Sequence, residues 1–222
     1  MRKYDNKNNK NNKNDNNYAK SRLYLEKWEK DLKKGQILSV LFTGVGGQGI
    51  ILATTVLAKA AIESGFDVKV SEVHGMAQRG GSVEGSVRIG KEVFSPIINR
   101  ADFIIAVEKL EALRYIGKLQ PGGFLLVNDY EIYPSTVFSK DTEYPKNIEE
   151  RISNLTKNYM IIDAVEIALK LNEIRAANMV MLGAFSNFLP LEPDCWISAI
   201  KENVPSRALN INIEAFNLGK NL

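Results

Sequence analysis

The sequence predicts an α/β protein: one domain built on an open, mostly parallel sheet with helices on both faces. Three observations predict it. A glycine-rich turn, Gly44-Val45-Gly46-Gly47-Gln48-Gly49, joins a short apolar run to a helix-length one. Phe103–Val107, Phe124–Val127 and Tyr159–Ile162 are short continuous apolar runs, the pattern of strands buried on both faces. Helical spacing of apolar residues fills the intervals between these runs.

Each element has its own justification. Residues 1–17 are a Lys/Asn/Asp tract too poor in apolar side chains to offset its ordering entropy, and disorder is expected there. Tyr18, Leu25, Trp28 and Leu32 form one stripe, so a helix is expected over residues 18–35, with Gly35 as its stop. The domain spans 36–222. Ile37–Phe42 reads as a buried strand, and the glycine turn leads into a helix to Glu63 that is apolar nearly all round. Asp67–Val73 reads as a second strand, which completes a βαβ crossover. Val83, Gly85, Val87 and Ile89 alternate with polar residues, which suits an antiparallel or edge strand, with Val93–Ile98 pairing to it. Helices are expected at Leu110–Leu119, Ile148–Leu155 and Ala164–Leu171, with a turn at Pro121-Gly122-Gly123. Ala176–Leu189 is apolar on every side except Asn178 and Asn187, so it is buried in the fold or in an interface. Helices follow at Asp194–Asn203, behind Pro193, and at Ile213–Leu218. The whole is Rossmann-like.

Composition excludes several functions. Residues 1–34 hold 11 Lys/Arg and 5 Asp/Glu, whereas residues 35–222 hold 18 and 21. The body is mildly acidic, so it lacks the basic face a nucleic-acid partner requires. No apolar run approaches the roughly 20 residues of a membrane span, and no signal-peptide core is visible, so a cytoplasmic protein is expected. One cysteine, Cys195, and one histidine, His74, cannot supply the four ligands of an iron–sulfur cluster or a structural zinc site.

Two loops carry the candidate chemistry. Gly44, Gly46 and Gly49 fit G-x-G-x-x-G between a strand and a helix, where glycines permit close backbone approach and the helix end attracts anions. Glu72 falls where a dinucleotide fold places its ribose-binding carboxylate. A free-standing NAD(P)-binding oxidoreductase or sensor is therefore one reading. Another is that the glycines merely let the helix pack on the sheet. The second loop is His74-Gly75-Met76-Ala77-Gln78-Arg79-Gly80-Gly81, at the carboxyl end of a strand. Arg79 offers a planar fork of donors for a carboxylate or phosphate, and His74 a hydrogen bond or a proton. Taken singly, each of these two residues is more often structural.

The two loops together resemble the gamma-type domain of 2-oxoacid:ferredoxin oxidoreductases. Val45-Gly46-Gly47-Gln48-Gly49 followed by Ser71-Glu72-Val73-His74-Gly75-Met76-Ala77-Gln78-Arg79-Gly80-Gly81-Ser82 is similar to the small (beta) subunits of the indolepyruvate type. Ser95-Pro96, Glu108–Arg114 and Asn178–Gly183 add to the likeness, which runs from Gln36 to the C-terminus. The resemblance implies a holoenzyme that oxidatively decarboxylates arylpyruvates, transfers the acyl group to coenzyme A and reduces ferredoxin. It implies thiamine diphosphate and iron–sulfur clusters on a large (alpha) partner subunit, with no cofactor in this chain. Gly44, Gly46, Gly47, Gln48, Gly49, His74, Gly75, Gln78, Arg79, Gly80 and Gly81 are then the residues expected to meet a ligand or the large subunit. A third reading is an interaction subunit with no ligand.

Overall fold

Leu38–Val45 forms β1, buried along almost its whole length, and its neighbours define the sheet. The computed structural model describes residues 5–74, 81–133 and 144–222, with backbone alone for 5–17 and 74. In chain order they form α1 (Asp5–Lys33), β1, α2 (Ile50–Glu63), β2 (Asp67–His74), β3 (Ser82–Gly90), β4 (Ala101–Ala106), α3 (Lys109–Tyr115) and β5 (Leu119–Asn128). Then come α4 (Ile148–Leu155), β6 (Tyr159–Ile162), α5 (Ala164–Lys170), α6 (Ala177–Ser186), α7 (Pro193–Asn203) and α8 (Leu209–Lys220). The six strands lie in the order β2-β3-β1-β4-β5-β6. Only β3 runs against the others: it pairs antiparallel with both β1 and β2, while β4, β5 and β6 follow β1 in parallel.

Helices cover both faces. Val40, Phe42, Phe103, Ile105, Phe124 and Leu126 point to one face, under α1, α2 and α5–α8. Leu41, Ile104, Leu125 and Val127 point to the other, under α3 and α4. The alternation follows from the two-residue period of a strand. Helix α6 is buried within this fold rather than at an interface. Its Gly183 lies against the Phe216 carbonyl of α8, and Gly219 of α8 lies against the Val180 carbonyl, so the two backbones touch.

Several expectations need correction. β1 and β2 are parallel but not neighbours, because β3 fills the place between them. β3 is therefore interior, and β2 is the edge. Val93–Ile98 is not a strand: both sides of β3 are already taken. Instead Arg88 Nη1 donates to Ser95 O (2.9 Å) and Ser86 Oγ to Pro96 O (3.1 Å), which ties the segment across the polar face of β3. Pro121-Gly122-Gly123 lies inside β5 as an irregularity. Pairing with β4 jumps from Ala101–Leu119 to Phe103–Phe124, and Gly122 takes φ 78°. Helix α2 is not buried all round, since Ile51 and Ile62 are 46% and 53% exposed. α8 is longer than expected.

Helix α1 begins at Asp5 rather than Tyr18, so helical backbone continues into the tract read as disordered. Intrahelical hydrogen bonding needs no apolar side chain once a downstream turn is anchored. The anchor is aromatic. Trp28 and Leu32 are 3% and 2% exposed. Tyr24 packs against Phe103, Phe124 and Phe188, and its hydroxyl donates to Gly122 O at 2.7 Å. Burial pushes that phenol up to about 12. Truncating a buried Trp removes its transfer energy and leaves a cavity, so Trp28→Ala should cost about 3–5 kcal/mol. A denaturant midpoint measured on the full chain checks this. An unchanged midpoint would mean that α1 does not dock.

Candidate functional site

The helices after β1 and β4 leave on opposite faces of the sheet, α2 on one and α3 on the other. Adjacent parallel strands that diverge in this way open a crevice at their carboxyl ends, where open α/β sheets bind ligands. Here a side-chain amide bridges its two walls. Gln48 folds back so that Oε1 accepts from Val45 N at 2.7 Å and Nε2 donates to Val107 O at 3.2 Å. The amide thus bridges the end of β1 to the residue following β4.

The glycines make this packing possible. Gly47 and Gly49 take φ 101° and 77°, the left-handed region that side chains disfavour. A Cβ on Gly44 would strike Val107 and come within 2.9 Å of Gln48 Oε1, and one on Gly49 would strike Asn178. Asn178 comes from α6, which is apolar apart from it and Ser186. It is 4% exposed, and its Nδ2 donates to Gly49 O at 3.1 Å. Its Oδ1 has no partner among the described residues. Gly46, Gly47, Gln48, Asn128, Arg175 and Asn178 line a cavity of about 280 Å³ beside the turn, with Val107, Ile132, Val165 and Ile174 as apolar wall. At its mouth, Arg175 makes a two-pronged pair with Glu173 (2.8 and 2.7 Å), which holds that carboxyl down at about 2.

The second loop leaves from β2 and returns into β3. His74, opposite Val83, is its last described residue before the gap, and its side chain is not described. Gly75, Gln78, Arg79 and Gly80 lie outside the described residues. Gly81 O accepts from Gly46 N at 2.9 Å, so the end of the second motif is bonded to the first. Glu72 does not take the dinucleotide role. β3 separates its strand from β1, which puts it about two strand spacings, roughly 10 Å, from the turn. Its carboxylate accepts from Thr54 Oγ1 at 3.3 Å instead.

Two buried carboxylates that sequence reasoning did not single out support the loop's return. Glu108, 1% exposed, caps α3 by accepting from Glu111 N (2.8 Å), and it also accepts from Ile132 N (3.1 Å) and Tyr144 OH (2.6 Å). Glu111, 3% exposed, accepts from Ser82 Oγ, next to Gly81, and from Thr43 Oγ1 at 3.4 Å, with Arg114 at 2.8 Å. Burial, helped by the neighbouring charge of Glu108, pushes the Glu111 carboxyl up from its usual value; Ser82 and Arg114 pull against it. The sequence carried two weak signals: Asn178 breaks an apolar helix, and the Glu108–Arg114 segment is part of the family likeness.

The family model described as pyruvate ferredoxin/flavodoxin oxidoreductase matches residues 39–222. The chain belongs to this family. Relatives within reach of it include "Indolepyruvate oxidoreductase subunit IorB" of Thermococcus kodakarensis, 37% identical over 191 residues, covering 82% of this chain and 93% of that one. The protein of the same name from Methanothermobacter thermautotrophicus is 39% identical over 188 residues, covering 82% and 95%. Among solved structures, the gamma subunit of keto/oxoacid ferredoxin oxidoreductase from Geobacter sulfurreducens superposes with TM-score 0.62 at 26% identity, covering 83% of this chain and 94% of that one. A 2-oxoglutarate:ferredoxin oxidoreductase chain from Magnetococcus marinus shares the fold, with TM-score 0.66 at 21% identity, covering 83% of this chain and 30% of that one. The family match begins after α1. Among the described residues, no three His, Cys, Asp or Glu side chains converge as a metal would need, and no helix is long and apolar enough to cross a membrane.

Two outcomes are expected. NAD(H) should leave the melting temperature unchanged, because β3 holds Glu72 out of reach of the glycine turn; a rise with NAD(H) concentration would contradict this. Glu111 binds its proton more tightly in the folded chain than in the unfolded one. Its contribution is therefore fully present below the usual carboxylate value of 4.5 and is lost as pH rises through the folded value. Thermal melts across this window should show wild type losing stability relative to Glu111→Gln. The opposite slope would mean that the carboxylate is stabilised in place.

Proposed function

We propose that this chain is the small, cofactor-free subunit of a ferredoxin-dependent 2-oxoacid oxidoreductase of the indolepyruvate type. The holoenzyme would convert an arylpyruvate to the acyl-coenzyme A thioester with reduction of ferredoxin. One observation supports the site reading: a hydrogen bond from Gly46 N to Gly81 O ties the last residue of the second motif to the glycine turn. The relatives named as indolepyruvate oxidoreductase subunits, matched over nearly their full length, support the substrate class.

On this reading the chain works through a large (alpha) subunit, which carries thiamine diphosphate and the iron–sulfur clusters and through which ferredoxin is reached. A cytoplasmic location goes with that partner, and no nucleic acid is involved. His74, Gln78 and Arg79, flanked by Gly75, Gly80 and Gly81, are the groups directed at the large subunit or at a phosphate of coenzyme A. Arg79 supplies a fixed fork of donors suited to either anion. The Gly44–Gly49 turn, locked by Gln48 and Asn178, holds the last of them, Gly81.

Arg79→Ala should lower turnover of the assembled enzyme by about tenfold or more, in line with the loss of one charge-assisted contact, while the melting temperature of the free chain stays put. Steady-state kinetics with arylpyruvate and coenzyme A check this. Unchanged kinetics together with unchanged complex formation would remove Arg79 from the site.

A further inference from the structure

Among the described residues, thirteen large apolar side chains are strongly exposed, and six of them surround one feature, the open edge of β2. Val70 (40%) and Val73 (58%) are on the strand itself. Ile51 (46%) and Ile62 (53%) are on the outer stripe of α2, which packs over β2. Phe94 (83%) and Ile97 (70%) lie on the 93–97 segment across the other face. Apart from its charged side chains, the edge shows no blunting device among the described residues. It runs eight residues in unbroken register with β3, contains no proline or bulge, and its Lys69 is held by Asp67 at 2.8 Å.

We infer that this edge joins a second copy of the same chain, β2 against β2 in antiparallel fashion, about a two-fold axis perpendicular to the sheet. The surface is self-complementary about one point in all three layers. Ile51 and Ile62 share a stripe with Thr55, and their midpoint falls between Val56 and Leu57. The Thr54–Glu72 hydrogen bond places α2 along β2. Moving from Thr54 to that midpoint covers about 4 Å at 1.5 Å per residue. Because α2 runs opposite to β2, the same step leads back roughly one strand residue from Glu72, to Ser71. The middle of β2 lies between Val70 and Ser71.

On the other face, Phe94 sits at the level of Asp67–Lys69. It is bracketed by Val93 N on Asp67 (2.8 Å) and by Ser95 O on Arg88, which pairs with Lys69. Val73 lies on the opposite side of Ser71. The axis therefore sets Ile51 against Ile62 of the second copy and Phe94 against its Val73, while the unpaired strand edges exchange backbone hydrogen bonds. The six side chains expose on the order of 600 Å², and the strand edge adds to this, against roughly 800 Å² per partner in a standard interface. Pairing would extend the six-stranded sheet to twelve strands. This inference does not depend on the proposed function.

Sedimentation of the purified full chain tests it, with Ile62→Glu and Phe94→Glu as disrupting variants at exposed positions that folding tolerates. The expected result is a dimer for wild type and dissociation constants raised about tenfold or more in each variant, with unchanged melting temperatures. A residue at the axis meets its own copy within disulfide reach. In a Cys195→Ser background, Val70→Cys or Ser71→Cys should therefore cross-link the dimer, whereas a Glu149→Cys control should not. A chain that stays monomeric at about 100 µM would overturn the inference. So would a dimer indifferent to both substitutions, or cross-linking at neither position. A monomer whose Phe94→Glu variant no longer copurifies with the large subunit would instead assign the surface to that subunit.

Discussion

The insertion of β3 between β1 and β2 is the constraint from which the rest of the site follows. Eight residue pairs, from Leu38–Ile89 to Val45–Ser82, bring the start of β3 beside the end of β1. Gly81, which leads into β3, then lies beside the glycine turn, and Gly46 N donates to its carbonyl. In a plain crossover β2 would lie next to β1, and the second loop would have no reason to be there. The same insertion moves Glu72 away from the turn and leaves β2 as an open edge. One topological choice thus builds the candidate surface and removes the dinucleotide alternative.

The glycine turn uses its residues for packing rather than for cradling a phosphate. Gly44 admits Val107 and the Gln48 amide, and Gly49 admits Asn178. Leaving a buried polar group without a partner costs about 1–3 kcal/mol. Gln48 satisfies both ends of its amide, while Asn178 Oδ1 has no partner among the described residues. Glu108 and Glu111 bury two carboxylates to hold Tyr144, the α3 start and the return of the loop. Such groups are costly to desolvate and are kept where hydrogen bonds define a position.

Much of this was legible in the sequence. Continuous apolar runs gave β4 through β6, and the Ile50–Glu63 pattern gave α2 with its true ends, because burial on both faces writes itself into composition. The polar alternation of β3 suited an antiparallel or an edge strand, and only the first holds. Its place in the sheet was not legible, because period-two patterning says which face is wet and not which strand is the neighbour. Val93–Ile98 looked like a strand because its apolar content matches one; only the occupied edges of β3 and side-chain bonds from Ser86 and Arg88 show otherwise. The motif loops were readable as a pair. The roles of Asn178, Glu108 and Glu111 were not, since each depends on contacts across more than twenty residues of chain.

Reconstitution tests the central claim most directly. Purified chain would be titrated into a separately prepared large subunit under anaerobic conditions, with arylpyruvate- and coenzyme A-dependent reduction of a viologen dye as the readout. The account predicts negligible activity from either chain alone and a rise that saturates at a fixed ratio of the two. Full activity from the large subunit alone, with no association and no response to added chain, would contradict it.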